Sequence, residues 1–104
     1  MRIKMVEKRK VDLLPIGTVC KVTDKDVYAM IIGYFEVDKK TKKTFDYKAV
    51  IYPFGLLNVN IHFAFNTKDI KEVLFKGYSN QNFRSFALGV NKALNNEKIT
   101  DLFK

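Results

Sequence analysis

The chain has 104 residues, 47% of them apolar, and a net charge of +8. That length suits one hydrophobic core and leaves little room for a separate catalytic domain. Its single cysteine, Cys20, excludes an intramolecular disulfide and any zinc site that needs two or more thiolates. The longest apolar runs fall far below the roughly 20 residues that span a bilayer, and no apolar run suited to a signal peptide follows the basic start. A soluble, cytoplasmic protein without membrane insertion is the expectation.

The charge is unevenly spread. Residues 1–10 hold five basic side chains against one acidic, and residues 38–48 hold five against two. The excess therefore sits in an N-terminal arm, residues 1–12, and in the run Lys39, Lys40, Lys42 and Lys43. Such clusters suit nucleic acid, an anionic membrane or an acidic protein, and equally a solubilising surface. Residues 13–104 read as a single domain.

Along that domain, Leu13-Leu14-Pro15-Ile16-Gly17 is an apolar entry with a turn, since Pro15 lacks a donor and suits a strand start or edge. Thr18–Val22 predicts a first strand, with Cys20 as a small buried hydrophobe. A polar turn at residues 23–26 leads into Val27–Val37, whose two alternate sets are both apolar, as in a strand covered on both sides. Gly33 predicts a bulge or bend within it. After the charged loop, Thr44–Tyr52 predicts a third strand, ended by Pro53-Phe54-Gly55.

Residues 58–65 alternate cleanly, with Val59, Ile61, Phe63 and Phe65 on one side and Asn58, Asn60, His62 and Ala64 on the other. This predicts a half-buried strand with one polar, partner-facing side. Asn66 and Asp69 suit a capped helical turn, and Glu72–Tyr78 a further strand. A helix is predicted over Gln81–Asn95, capped by Ser79 or Asn80, with Phe83, Phe86, Ala87, Val90 and Leu94 as its apolar stripe. Ile99, Leu102 and Phe103 form a C-terminal apolar patch. Strands followed by one amphipathic helix imply an α+β fold: a bent antiparallel sheet of about five strands, closed by the C-terminal helix.

Chemistry is sparse. His62 is the only histidine and has no cysteine or carboxylate at metal-ligand spacing, so no metal or other cofactor is expected. No phosphate-binding glycine loop or nucleophile motif occurs, and Asp24 with Asp26 supplies too few oxygens for a calcium loop. No catalytic residue is expected, and the chain reads as a binding protein. The nine Phe and five Tyr mostly alternate as core positions do. Tyr28, Tyr34, Tyr47 and Tyr52 are the candidates for exposed rings, which a single-strand-binding surface would need.

Four segments in order carry a resemblance: Leu13-Leu14-Pro15-Ile16-Gly17-Thr18-Val19; Met30-Ile31-Ile32-Gly33; Tyr52-Pro53-x-Gly55; and Phe65-Asn66-x-x-Asp69-Ile70-x-x-Val73-x-Phe75-x-Gly77-Tyr78. Over residues 13–78 the chain resembles the DUF4176 family of small Gram-positive bacterial proteins. It departs from the family in carrying Phe54 and Lys76 where an acidic residue is frequent. The resemblance implies a place in type VII secretion loci beside LXG-domain toxins, hence a non-enzymatic accessory or chaperone-like adaptor that binds such a toxin. Its contact surface would be a sheet edge, by strand addition, or a face carrying Tyr28, Tyr34, Asn58, Asn60 and His62. A nucleic-acid-binding module using the arm (Arg2, Lys4, Lys8, Arg9, Lys10) and the 39–43 loop is one alternative. An immunity protein that occupies a toxin's active site is the other.

Overall fold

A computed structural model describes residues 12–95, with side chains to residue 93. Of the arm at residues 1–12, only Asp12 is among the described residues, and the patch at Ile99, Leu102 and Phe103 lies outside them. The described residues fall into two compact units, a sheet-bearing one over residues 14–78 and a helical one that takes Ser79 onward.

The sheet unit contains β1 (Val19–Val22), β2 (Tyr28–Val37), β3 (Thr44–Tyr52), β4 (Phe63–Phe65) and β5 (Ile70–Phe75), with a 3-10 turn at Thr67–Asp69. All neighbours are antiparallel, in the order β4-β3-β2-β1-β5. The class is the predicted one, α+β, and the sheet is open. β3 has the predicted bounds, and β1 and β2 each begin one residue later than predicted.

The connection after β4 forces curvature. In a flat sheet β4 and β5 would lie about 19 Å apart, at roughly 4.8 Å per strand spacing. Phe65 and Ile70 are joined by a short link containing the 3-10 turn, and five residue steps reach at most about 18 Å even when fully extended. The sheet must therefore curl. Lys25, beside β1, accordingly reaches 5.5 Å from the Phe63 ring centroid on β4.

The inside of the curl is the core of this unit. Register puts Cys20 opposite Ala29, Ile31 opposite Ala49, and Tyr47 opposite Phe65, all buried. Small residues at Cys20, Ala29 and Ala49 suit a strongly curved interior. The register of β2 on β3 slips between Ile31 and Gly33, the bulge that Gly33 predicts. It moves Tyr34 to a position opposite Tyr47, and the two rings lie 5.9 Å apart.

Three expectations fail. β4 holds only three residues, because residues 57–60 form a turn: the Asn58 side chain accepts a hydrogen bond from the Asn60 N–H, and the Asn58 carbonyl one from the Ile61 N–H. Turn-forming Asn side chains outcompete the period-2 pattern here. The last strand runs from Ile70 to Phe75, not from Glu72 to Tyr78, because Gly77 is held against the Ile16–Thr18 backbone by its N–H bond to Thr18 Oγ1. Tyr34 and Tyr47 are not exposed rings: Tyr47 is fully buried and Tyr34 mostly so.

The helical unit is α1, Gln81–Asn95, with the predicted bounds. Asn80 caps it, its side chain accepting from the Phe83 N–H at 2.9 Å. Phe83, Phe86 and Ala87 are half-buried and Val90 fully buried, while Arg84, Ser85 and Lys92 are exposed, as the periodicity implies.

Candidate protein-binding surface

The predicted site residues separate into four groups. Lys39, Lys40, Lys42 and Lys43 do come together, on the exposed loop between β2 and β3. Asp38 shapes that loop: its carboxylate accepts from the Lys40 and Thr41 N–H groups, its carbonyl from the Lys42 N–H, and its own N–H meets the Lys43 carbonyl. The lysines thus stand on a tight turn built by an acidic residue.

Tyr34 is structural. Its hydroxyl donates to the Leu14 carbonyl at 2.6 Å, and the Tyr47 hydroxyl accepts from the Leu14 N–H at 3.0 Å. The pair of phenols clamps the entry segment at Leu14. Burial, with the neighbouring Tyr47 adding to it, pushes the Tyr34 phenol up to about 12.

The Asn58 side chain and the Asn60 N–H are spent on their own turn. His62 is tied to the same segment: Nδ1–H donates to the Val59 carbonyl at 3.0 Å, and Nε2 lies 3.5 Å from Glu36, whose other oxygen is 3.6 Å from Lys48. The imidazole is thereby an anchor of the loop and lies away from Tyr28. Cys20 is fully buried, which pushes its thiol up and away from nucleophilic reactivity. Among the described residues no group of three His, Cys, Asp or Glu side chains could hold a metal ion.

Tyr28 is the predicted site ring that stays on an open surface. It stands directly opposite Tyr52, on the outside of the curl, in a row with Lys21 of β1. The Lys21 ammonium lies 5.8 Å from the Tyr28 ring centroid. The adjacent row on this outer face holds Phe75, Val19 and Met30. Tyr28, Tyr52, Val19, Met30 and Phe75 line a groove of about 500 Å³.

Next to it lies the larger apolar feature, which the alternation pattern concealed. Residues 53–62, between β3 and β4, expose Phe54, Leu56, Leu57, Val59 and Ile61, with Leu57 70% and Val59 73% accessible. The reading of Val59 and Ile61 as inward core positions is corrected by the Asn58 turn. The clue available in the sequence was Pro53-Phe54-Gly55 followed closely by two asparagines, a composition of turns and not of a long strand. Large apolar side chains exposed together on one loop are a feature of partner-binding surfaces.

Residues 13–86 match the family described as Domain of unknown function (DUF4176). The chain belongs to the DUF4176 family. The matched span of DUF4176 covers the whole curled sheet, the apolar loop and the first turns of α1, and so reaches past the residues that carry the resemblance. No curated protein and no solved structure matches the chain. Gly17 and Gly55 both take positive φ, and Gly77 makes a close backbone approach. These three glycines of the segments that carry the resemblance are therefore scaffold. No helix among the described residues is long and apolar enough to cross a membrane.

Proposed function

We propose that this chain is a non-enzymatic, chaperone-like adaptor that holds a protein partner in the cytoplasm through the apolar loop at residues 53–62. The partner that the family resemblance implies is an LXG-type toxin of a type VII secretion locus. One observation carries the reading: five large hydrophobic side chains stand exposed on a ten-residue loop that the Asn58 turn and the His62 anchor hold in shape. A preorganised apolar loop binds protein without paying much ordering entropy.

The edges of the sheet are less suited to a partner. β4 is three residues long, and β5 pairs with β1 through two register irregularities, the devices that blunt edge-to-edge pairing. This favours the loop over strand addition. The test is co-expression with the toxin encoded beside this chain, followed by purification on a tag carried by either protein. A stable complex that Leu57→Asp and Val59→Asp abolish supports the reading. A complex indifferent to both substitutions, or none with any protein of the locus, sinks it.

The Lys39–Lys43 turn favours nucleic-acid binding as a second reading, since four exposed lysines share one tip. Affinity for an oligonucleotide would then fall steeply with salt, and Lys40→Glu with Lys42→Glu would abolish it.

A further inference from the structure

His62 anchors the apolar loop through contacts that both run to acceptors. Nδ1 lies 3.0 Å from the Val59 carbonyl, and Nε2 lies 3.5 Å from a carboxylate oxygen of Glu36 on β2. A carbonyl and a carboxylate accept and cannot donate. Neutral imidazole has one N–H, so with Nδ1 donating to Val59 the Nε2 lone pair faces the Glu36 carboxylate. Imidazolium has an N–H on each nitrogen, and it alone completes both contacts.

The backbone of β2 aims the carboxylate. Side chains alternate between faces along a strand, so Glu36 would share the face of Tyr34, whose ring meets Tyr47. Its carboxylate instead reaches Lys48, at 3.6 Å, the residue after Tyr47 and therefore on the other face of β3. Phe35 breaks the alternation: its φ is 58°, in the left-handed region that bulky residues rarely enter. Strain of this kind clusters at switch regions and ligand clamps, and here it delivers a carboxylate to the histidine.

The charged groups around the ring are few. Glu36 comes from β2, and Lys48 of β3 holds its other oxygen. Lys25, from the turn between β1 and β2, lies over the ring of Phe63, the residue after His62. Among the described residues neither His62 nor Glu36 forms another ion pair. A glutamate is anionic across the range of about pH 5–8 in which imidazoles ordinarily change charge. The ring is therefore the group that switches.

We propose that proton uptake by His62 locks the apolar loop onto β2, clamping it at both ring nitrogens in mild acid and at one above neutrality. The locked loop holds the proton more strongly than the released loop, so locking is favoured as pH falls and is lost as pH rises. The consequence, tighter partner binding below neutrality, rests on the adaptor reading. The His62 and Glu36 side chains are 23% and 30% exposed, and a solvent-screened pair of this kind shifts an equilibrium about two- to fivefold.

The experiment is amide hydrogen exchange of the full chain by nuclear magnetic resonance, with no partner present, at about pH 5.5 and about pH 7.5. The probe is the Ile61 N–H, which donates to the Asn58 carbonyl at 2.8 Å within the loop. Its protection factor, corrected for the intrinsic pH dependence of exchange, should be about two- to fivefold higher at the lower pH. Glu36→Gln and His62→Gln should each level that difference, with thermal unfolding as the check that both variants fold. Equal protection of the wild type at the two pH values overturns the proposal. So does a difference of opposite sign, or one that survives Glu36→Gln. The free chain carries the whole measurement, so its failure leaves the adaptor reading standing, and failure of that reading leaves the lock standing.

Discussion

Gly77 lies so close to the Ile16 carbonyl that a Cβ on it would sit well inside van der Waals contact with backbone atoms of Ile16 and Thr18. Its N–H is fixed there by a buried hydrogen bond to Thr18 Oγ1 at 3.0 Å. The obstacle is main chain, which cannot swing aside as a side chain does. Gly77→Ala should therefore cost about 1–3 kcal/mol of stability, the range of overpacking, seen as a lower urea midpoint with unchanged slope.

Asp46 is buried, and one carboxylate oxygen accepts from both the N–H and the hydroxyl of Thr67, each at 2.9 Å. Its own N–H donates to the Asn66 side chain, and the Asp69 carboxylate receives the Asn66 N–H. This network ties β3 to the 3-10 turn that bends the chain into β5. Asp46→Ala removes two hydrogen bonds to a carboxylate, and the expected loss is about 1–3 kcal/mol by chemical denaturation.

Tyr34 sets an alkaline limit. Its folded value is raised to about 12, above the ordinary phenol near 10, so the neutral form is the one the fold prefers. Between those values the native state binds more protons than the unfolded state, and stability falls as pH rises. The contribution is whole below pH of about 10 and is lost as pH climbs through about 12. Tyr34→Phe should flatten this segment of the stability–pH curve, and should lower stability near neutrality by about 1 kcal/mol through loss of the bond to the Leu14 carbonyl.

Leu57 and Val59 project into solvent, so replacing them leaves the core intact. Leu57→Asp and Val59→Asp should change unfolding free energy by no more than about 0.5 kcal/mol. They should nevertheless raise solubility, because an exposed apolar patch is removed.

Most of the fold was legible in the sequence because its longest elements have strong local signals. β3 alternates from Thr44 to Ala49 and is bounded by a charged loop and a Pro-Gly turn, and α1 has both an Asn cap and a 3.6-residue stripe. The bulge at Gly33 was legible too, since a glycine within an apolar strand has few other uses. The segment at residues 58–65 was misread because alternation records spacing and not burial. Val59 and Ile61 belong to a turn in which the side chain and carbonyl of Asn58 accept from the backbone N–H groups of Asn60 and Ile61.

The candidate surface was accordingly legible only in part. Tyr28 and the lysine turn could be named, since one stands at a strand start beside a polar turn and the other is charged. Tyr34 and Tyr47 could not be told from exposed rings, because their inward position depends on a bulge and on a distant contact with Leu14. The pairing of Tyr28 with Tyr52 is likewise a matter of register, which no local pattern encodes.

The central claim is that the ordered apolar loop at residues 53–62 holds a protein partner. Its most direct measurement is the affinity of the purified chain for the toxin proposed as its partner, by calorimetry, for wild type and for Leu57→Asp/Val59→Asp. The account predicts saturable binding that the double substitution weakens roughly a hundredfold, as loss of two anchor side chains does, with the fold unchanged by circular dichroism. Equal affinity for the wild type and the double variant would contradict it.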